Sequence, residues 1–192
     1  MTVRAGVLAL QGDFREHAAA LSAAGATPVL VRTAADLDGL AALVVPGGES
    51  TTMGALAERF GLVAPLREAI GGGLPTLGTC AGLIFLARAT TGPRPQVQLG
   101  VLDAVVERNA FGRQVDSFET DLRVAGWAEP LRAVFIRAPR VERTGEGVEV
   151  LAAMDGHPVM VRQDKVLGTA FHPELTGDRR VHTLLLEMAG ER

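Results

Sequence analysis

The sequence is poor in cysteine and lysine, and each shortage excludes a class of protein. Cys80 is the only cysteine among 192 residues. The chain therefore has no internal disulfide, and we expect it to occupy a reducing compartment, the cytoplasm. Lys165 is the only lysine among the 19 basic residues, and 22 acidic residues leave a formal net charge of −3. Such a balance provides no basic surface for nucleic acid or for an anionic membrane, so neither is an expected partner.

Long apolar runs are also missing. None approaches the ~18 residues of a membrane span, and the apolar start at residues 6–10 is too short for the core of a signal peptide. The sequence does have 47% hydrophobic residues, enough to bury a core, which excludes intrinsic disorder. The length is that of one domain, which we expect to span residues 1–192.

In the first half of the chain, short apolar runs alternate with amphipathic segments. This alternation is typical of a parallel sheet covered by helices. Strands are predicted at residues 3–10, 26–31, 41–45 and 74–79, with helices between and after them. Asp13 and Ser50 are expected to cap two of these helices with their side chains.

After Gly92 the pattern changes to strand-like runs, followed by a closing helix that contains Val181 and Met188. The runs lie at residues 97–107, 114–124, 133–136, 148–154, 159–162 and 166–171. They predict an antiparallel or mixed extension of the sheet. The expected fold class is therefore α/β, with a mostly parallel central sheet between two layers of helices.

Residues 78–82, Gly-Thr-Cys-Ala-Gly, form a G-x-C-x-G motif at a predicted strand-to-helix junction. A tight turn of this kind strains the central residue and leaves no space for side chains two positions away, which explains both glycines. The start of the following helix favours a thiolate, the form that attacks a carbonyl carbon. The motif predicts Cys80 as a nucleophile. The alternative is that Cys80 is a small buried apolar residue.

A thiol nucleophile needs a base and a group that orients the base. His172 ends a strand-like run and is followed by Pro173 and Glu174. In an extended stretch, residues two apart point the same way, so Glu174 is expected to reach His172 and hold its tautomer. The alternative is a turn that only precedes the last helix. For the other three histidines we expect a structural or solvated role: His17, His157 and His182.

Acyl transfer also needs backbone donors for the developing oxyanion. The N–H of Ala81 follows the nucleophile directly, and Gly48 lies in a Pro-Gly-Gly-Glu-Ser loop after a predicted strand. The alternative for this loop is an ordinary glycine turn with Ser50 as a helix cap. The chain carries no phosphate-binding glycine motif and no metal-ligand spacing, so neither a metal nor another cofactor is expected.

Six segments together are similar to one known family. They lie at residues 6–14, 46–51, 78–84, 108–119, 135–139 and 172–175. They resemble the triad-type, or class I, glutamine amidotransferases and, within these, the glutaminase subunits of pyridoxal 5′-phosphate synthase. The segment at 108–119 is the one that distinguishes this subfamily, whereas residues 90–98 resemble it least. The resemblance implies a flavodoxin-like, three-layer fold.

The resemblance implies a role for each matching residue. Cys80 would attack the side-chain amide of glutamine, His172 would transfer the proton, and Glu174 would hold His172. Gly48 and Ala81 would form the oxyanion hole. The residues that would contact L-glutamine are Gly48, Glu49, Ser50, Arg108, Ile136 and Arg137. Composition alone would favour surface ion pairs for the two arginines, although a guanidinium also suits an α-carboxylate.

The resemblance also implies a partner, because ammonia would pass to a separate synthase subunit that makes pyridoxal 5′-phosphate from a pentose phosphate and a triose phosphate. That synthase would be a ring-shaped oligomer, each subunit of which docks one glutaminase. Free glutaminase would be poorly active until docking arranges the oxyanion donors near Gln11, Gly47 and Gly48.

Two other functions remain open from the residues. One is a peptidase, deglycase or redox-stress protein of the same layout, although such proteins often have histidine where Ala81 stands. The other is a non-catalytic regulatory subunit, which a broken triad would favour, yet all three triad residues are present.

Overall fold

The structure is a computed structural model that describes residues 2–91, 95–108 and 117–190. Its strands in chain order are β1 (Arg4–Leu8), β2 (Thr27–Val31), β3 (Ala42–Val45), β4 (Thr76–Thr79), β5 (Ala87–Thr91), β6 (Leu102–Glu107), β7 (Phe118–Leu122), β8 (Leu131–Phe135), β9 (Arg140–Thr144), β10 (Glu149–Met154), β11 (His157–Gln163) and β12 (Val166–Thr169). Its α-helices are α1 (Phe14–Ala23), α2 (Ser50–Arg59), α3 (Val63–Gly71), α4 (Ala81–Leu86) and α5 (Arg180–Gly190). Two 3₁₀ turns cover Ala34–Leu37 and Pro173–Leu175.

A seven-stranded sheet forms the centre of the molecule, in the order β10-β11-β12-β4-β3-β1-β2. The five strands from β12 to β2 are parallel. Strand β11 pairs antiparallel with β12, and β10 pairs antiparallel with β11 at the edge of the sheet. Helix α1 packs on α5, whereas α2 packs on α3 and α4. The predicted fold class, a mostly parallel sheet flanked by helices with an antiparallel extension, is confirmed.

The central strands β3 and β4 are buried along their whole length. Parallel strands covered on both faces favour apolar side chains, as in the Ala-Leu-Val-Val run of β3. In β4, Leu77 and Gly78 lie between two buried threonines, Thr76 and Thr79. The first four predicted strands agree with the structure to within two residues at each end. No α-helix in the described ranges is long and apolar enough to cross a membrane.

The middle of the chain differs from the prediction. Strands β5, β6 and β9 form a separate three-stranded sheet, and β7 and β8 form a hairpin, so only β10 and β11 extend the central sheet. The predicted run at 97–107 forms a strand only from Leu102. Its first residues run beside the end of α4 instead, where Leu99 and Val101 donate to the carbonyl oxygens of Phe85 and Leu86. Strands β5 and β9 were not predicted, since their sequences lack an apolar run.

Candidate active site

The carboxyl ends of four parallel strands meet at one edge of the central sheet. Asp13 follows β1, Gly48 follows β3, Cys80 follows β4 and His172 follows β12. Ligand sites of open α/β sheets form at this edge. Here the edge forms a cleft of about 440 Å³. The cleft is lined by Asp13, Gly48, Glu49, Ser50, Cys80, Ala81, Ile84, Arg108, Ile136, Arg137 and His172.

Cys80 lies in a tight turn between β4 and α4. Its φ of 49° and ψ of −103° lie in a region that residues other than glycine rarely adopt. The turn is held on one side by the Cys80 N–H, which donates to the carbonyl oxygen of Thr169 over 2.8 Å. On the other side, the Ile84 N–H donates to the carbonyl oxygen of Cys80 over 3.3 Å. The strained turn expected from the G-x-C-x-G motif is therefore present, and the thiol lines the cleft.

Both glycines of the motif are required by close backbone contacts. A Cβ on Gly82 would lie 2.0 Å from the carbonyl oxygen of Val45, at the end of the neighbouring strand β3. A Cβ on Gly78 would lie 2.8 Å from the carbonyl carbon of Gly82. These backbone atoms have little freedom to move, so the glycines allow α4 to begin close to the sheet.

The variant Gly82→Ala is expected to lose about 3 kcal/mol or more of unfolding free energy, because the new methyl group overlaps backbone atoms of β3. Urea unfolding followed by far-UV circular dichroism measures this loss. Gly71→Ala is the matched control, since a Cβ at Gly71 has open space around it. Equal stability of the Gly82 variant and the wild type would contradict the packing described for the turn.

His172 lies between two carboxylates. Its Nδ1 is 2.6 Å from Oε1 of Glu174 and 3.4 Å from Oδ2 of Asp13. The Glu174 side chain is fully buried. The contact predicted between His172 and Glu174 is thus present, but the reason differs, because Glu174 lies in a 3₁₀ turn and not in an extended stretch. The ring of His172 packs against Gly47, where a Cβ would lie 2.5 Å from Cε1.

These contacts determine the protonation of His172. Burial alone would lower the pKa of this imidazole. Hydrogen bonds to Asp13 and Cys80, together with the bond and the charge of Glu174, outweigh burial and raise the pKa to about 12. Burial raises the pKa of Glu174, and its bond to His172 opposes that shift without cancelling it. At neutral pH His172 is therefore an imidazolium next to Cys80, able to donate a proton.

Asp13 is a member of this site that sequence reasoning missed. The prediction that it caps α1 is wrong, because its side chain makes no capping hydrogen bond. Its carboxylate faces His172 instead, and the hydrogen bond between them lowers the pKa of Asp13. The available signal was its position in the turn between the first parallel strand and α1. Ile84 also lines the cleft and was not predicted.

Glu49 and Arg108 form a charged pair in the wall of the cleft, with Nη2 of Arg108 3.2 Å from Oε1 of Glu49. The prediction that Ser50 caps α2 is wrong. Glu49 is the cap, accepting from the N–H groups of Thr51 and Thr52, while the Ser50 hydroxyl donates to Oε1 of Gln96. Burial works to raise the pKa of Glu49, but the bonds from the two threonines outweigh it, so the pKa is lowered and Glu49 stays anionic.

Ile136 and Arg137 also line the cleft. The carbonyl oxygen of Ile136 is 3.9 Å from the Cys80 sulfur, and Arg137 has a φ of 44°. All six residues expected to contact glutamine therefore line the same cleft as Cys80 and His172. Residues 109–116 of the segment at 108–119 lie outside the described residues.

The expected oxyanion donors, Gly48 and Ala81, also line the cleft. The side-chain amide of Gln11 lies against Gly48, so close that a Cβ there would be 2.6 Å from its nitrogen and oxygen. The same amide oxygen accepts the N–H of Glu49 over 3.1 Å. In this free chain, the donor next to Gly48 is thus occupied by a side chain of the protein itself.

Two of the remaining histidines are not solvated. His17 and His182 are fully buried and contact each other behind Glu174. His157 is half-buried at the start of β11 and does not line the cleft.

Comparison with known proteins identifies relatives over nearly the whole chain. Residues 7–191 match the SNO glutamine amidotransferase family. A protein of Frankia casuarinae named pyridoxal 5′-phosphate synthase subunit PdxT is 60% identical over 186 residues, which cover 96% of this chain and 94% of that protein. The protein of the same name from Thermus thermophilus is 59% identical over 186 residues, which cover 96% of this chain and 97% of that protein.

Solved structures agree with this assignment. A crystal structure of a glutamine amidotransferase has a TM-score of 0.92 and 56% identity, covering 97% of this chain and 98% of that one. The structure of PurLQS from Thermotoga maritima has a TM-score of 0.71 at 19% identity, covering 100% and 97% of the two chains, a likeness that shows the fold alone. The resemblance found in the sequence is confirmed, and this chain belongs to the SNO glutamine amidotransferase family.

Proposed function

We propose that this chain is a glutaminase whose single domain spans residues 1–192. It hydrolyses L-glutamine to L-glutamate and ammonia and passes the ammonia to a separate synthase subunit that makes pyridoxal 5′-phosphate. The observation that carries the proposal is one cleft in which Cys80 lies beside His172 and His172 is bonded to Glu174 over 2.6 Å. The family and the names of the relatives support this function.

The charges of the cleft suit an amino acid. Glu49 would bind the α-ammonium group of glutamine, and Arg108 and Arg137 would bind its α-carboxylate, for which a guanidinium is the matching partner. Gly48, Ser50 and Ile136 would complete the wall of the glutamine site. The substrate's α-carboxylate and α-ammonium would then replace the contact that Arg108 and Glu49 make with each other.

The reaction proceeds by acyl transfer in two halves. The Cys80 thiolate attacks the side-chain carbonyl carbon of glutamine, and the N–H groups of Gly48 and Ala81 stabilise the oxyanion. The C–N bond breaks as His172 gives its proton to the leaving ammonia, and a glutamyl thioester remains. His172 then takes a proton from water, whose oxygen attacks the thioester, and glutamate leaves with cleavage of the C–S bond.

The partner is proposed from the relatives, which are named as synthase subunits. A ring-shaped synthase oligomer would dock one glutaminase on each of its subunits, in the cytoplasm. Docking would also switch the glutaminase on. The contact of Gln11 with Gly48 and with the Glu49 N–H supports this idea, because that amide lies against the loop whose Gly48 would supply an oxyanion donor.

The test is the release of ammonia and glutamate from glutamine by the purified chain, with and without a pyridoxal 5′-phosphate synthase subunit. Turnover is expected to rise about 5- to 150-fold with the synthase, the usual range for coupling between sites. Full turnover by the isolated chain would contradict activation by docking. Absence of glutamate under both conditions would overturn the glutaminase function.

A further inference from the structure

A second group of buried polar side chains lies behind Glu174, on the side away from the cleft. Nε2 of His17 is 3.3 Å from Oε2 of Glu174 and 3.0 Å from Oγ1 of Thr79. Nδ1 of His17 is 2.9 Å from Nε2 of His182. All four residues are buried, and none of them except Glu174 has a part in the reaction derived above.

Oε2 of Glu174 needs a donor. Oε1 of the same carboxylate is bonded to His172, whereas Oε2 has no well-aligned hydrogen bond among the described residues. A buried carboxylate oxygen without a donor is costly, because it has lost its water and gained no replacement. The Nε2 of His17 is the ring nitrogen that faces it, and a proton there would be shared between Glu174 and Thr79.

The donors and acceptors of this cluster can be assigned. If His182 donates from Nε2 to Nδ1 of His17, the proton of His17 is on Nε2, facing Glu174. The reverse order would turn a lone pair of His17 toward the carboxylate. It would also leave an N–H at Nδ1 of His182, an atom that has no partner in the described part of the chain. The first arrangement, in which His182 donates to His17, costs less free energy. It leaves Nδ1 of His182 as an unpaired acceptor, which is less unfavourable than a buried N–H without an acceptor.

Burial supports a neutral His17. Burial is the largest influence on this group, and it lowers the pKa of His17 well below its ordinary value, helped by the neighbouring His182 and His172. A neutral imidazole can donate a hydrogen bond to Glu174 without placing a second positive charge beside the imidazolium of His172. A hydrogen bond from His17 favours the charged form of Glu174 and so opposes the burial that raises the pKa of this carboxyl.

We propose that His17 is a positioning residue for the proposed glutaminase reaction, donating from Nε2 to Glu174 in the tautomer that His182 selects. The inference rests on the proposed function. Helix α1 then acts on both members of the His172–Glu174 pair, because Asp13 at its start contacts His172 and His17, one turn later, contacts Glu174. Thr79, which directly precedes Cys80, lies 3.0 Å from the same Nε2 of His17 through its Oγ1.

The test uses three replacements of His17 in the full chain with the synthase subunit present. His17→Gln keeps a donor at nearly the reach of Nε2 and is expected to retain kcat within about threefold. His17→Asn is polar but too short to reach Glu174, and His17→Leu has no donor. Both are expected to lose about 10- to 100-fold in kcat, the usual range for groups that orient a functional residue, with KM unchanged. His157→Leu is the control and should change neither constant.

The rate at which iodoacetamide alkylates Cys80 provides a second readout that needs no glutamine. The rate depends on how His172 is held next to Cys80, so alkylation should slow in the Asn and Leu variants and stay near the wild-type rate in the Gln variant. If the wild type hydrolyses no glutamine but alkylation follows this order, the glutaminase function fails and the positioning role stands. The role of His17 would be overturned if the Gln and Asn variants, at equal thermal stability, had the same kcat and the same alkylation rate. A fully active Leu variant would overturn it as well.

Discussion

Replacing Cys80 with alanine is expected to lower glutamine hydrolysis by about 10⁴-fold or more, because no other group in the described cleft can form the thioester. Removal of the nucleophile from a triad hydrolase costs losses of this order or greater. The residue is only 7% exposed, and alanine fits the space that the thiol occupies. The fold should therefore remain intact, with the same circular dichroism and nearly the same melting temperature as the wild type.

The measurement is glutamate release in the presence of the synthase subunit, with Cys80→Ser beside Cys80→Ala. A serine hydroxyl keeps the size of the side chain but ionises far less readily than a thiol, so this variant should be nearly as inactive. Glutamine binding, measured by calorimetry, should survive in both variants, because the charged residues of the cleft are unchanged. Substantial hydrolysis by Cys80→Ala would show that the nucleophile lies elsewhere.

Replacing Glu174 with glutamine is expected to lower kcat by about 10³- to 10⁴-fold, the loss found when the acidic member of a triad becomes an amide. The amide removes the charge that helps to raise the pKa of His172. The pKa of His172 should fall toward its ordinary value, so less imidazolium is present at neutral pH to protonate the leaving ammonia. A glutamine amide can also turn its NH₂ group toward Nδ1 of His172 and reverse the tautomer.

Glu187→Gln is the control for this change, since Glu187 is exposed on α5 and its loss removes the same charge from the protein. Asp13 keeps a second carboxylate 3.4 Å from Nδ1, so the residual activity of Glu174→Gln should fall further when Asp13→Asn is added. Unchanged kcat in the Glu174 variant would mean that Asp13 alone orients His172. In that case kcat would fall only in the variant that carries both Glu174→Gln and Asp13→Asn.

The parts of this protein that sequence reasoning predicted are those with a local physical cause. The turn at Cys80 depends on two glycines within four positions, and their need is visible in the motif itself. Glu174 follows His172 by two residues, so any compact turn brings the two together. Strand β3 is buried along its whole length, and its unbroken apolar run is readable without its neighbours.

Side-chain directions that depend on packing were not readable. Asp13 has the position and residue type of a helix cap. Its contact with His172 depends on the order of the strands in the sheet, where β4 and β3 separate β12 from β1. Glu49 likewise caps α2 in place of Ser50, because the helix begins at Ser50 and the Glu49 side chain accepts from the N–H groups of Thr51 and Thr52. Arg108 and Glu49 are 59 positions apart, and no local pattern predicts their contact.

The sequence by itself determined the α/β class, the family, the nucleophile turn and the pairing of His172 with Glu174, because each depends on residues close together in the chain or on an unbroken apolar pattern. Only the tertiary structure decided that His17 and His182, 165 positions apart, meet behind Glu174. The apolar spacing of a helix indicates which of its faces is buried, but the packing of α1 on α5 decides which residues of the two helices meet, and no spacing in the sequence connects them.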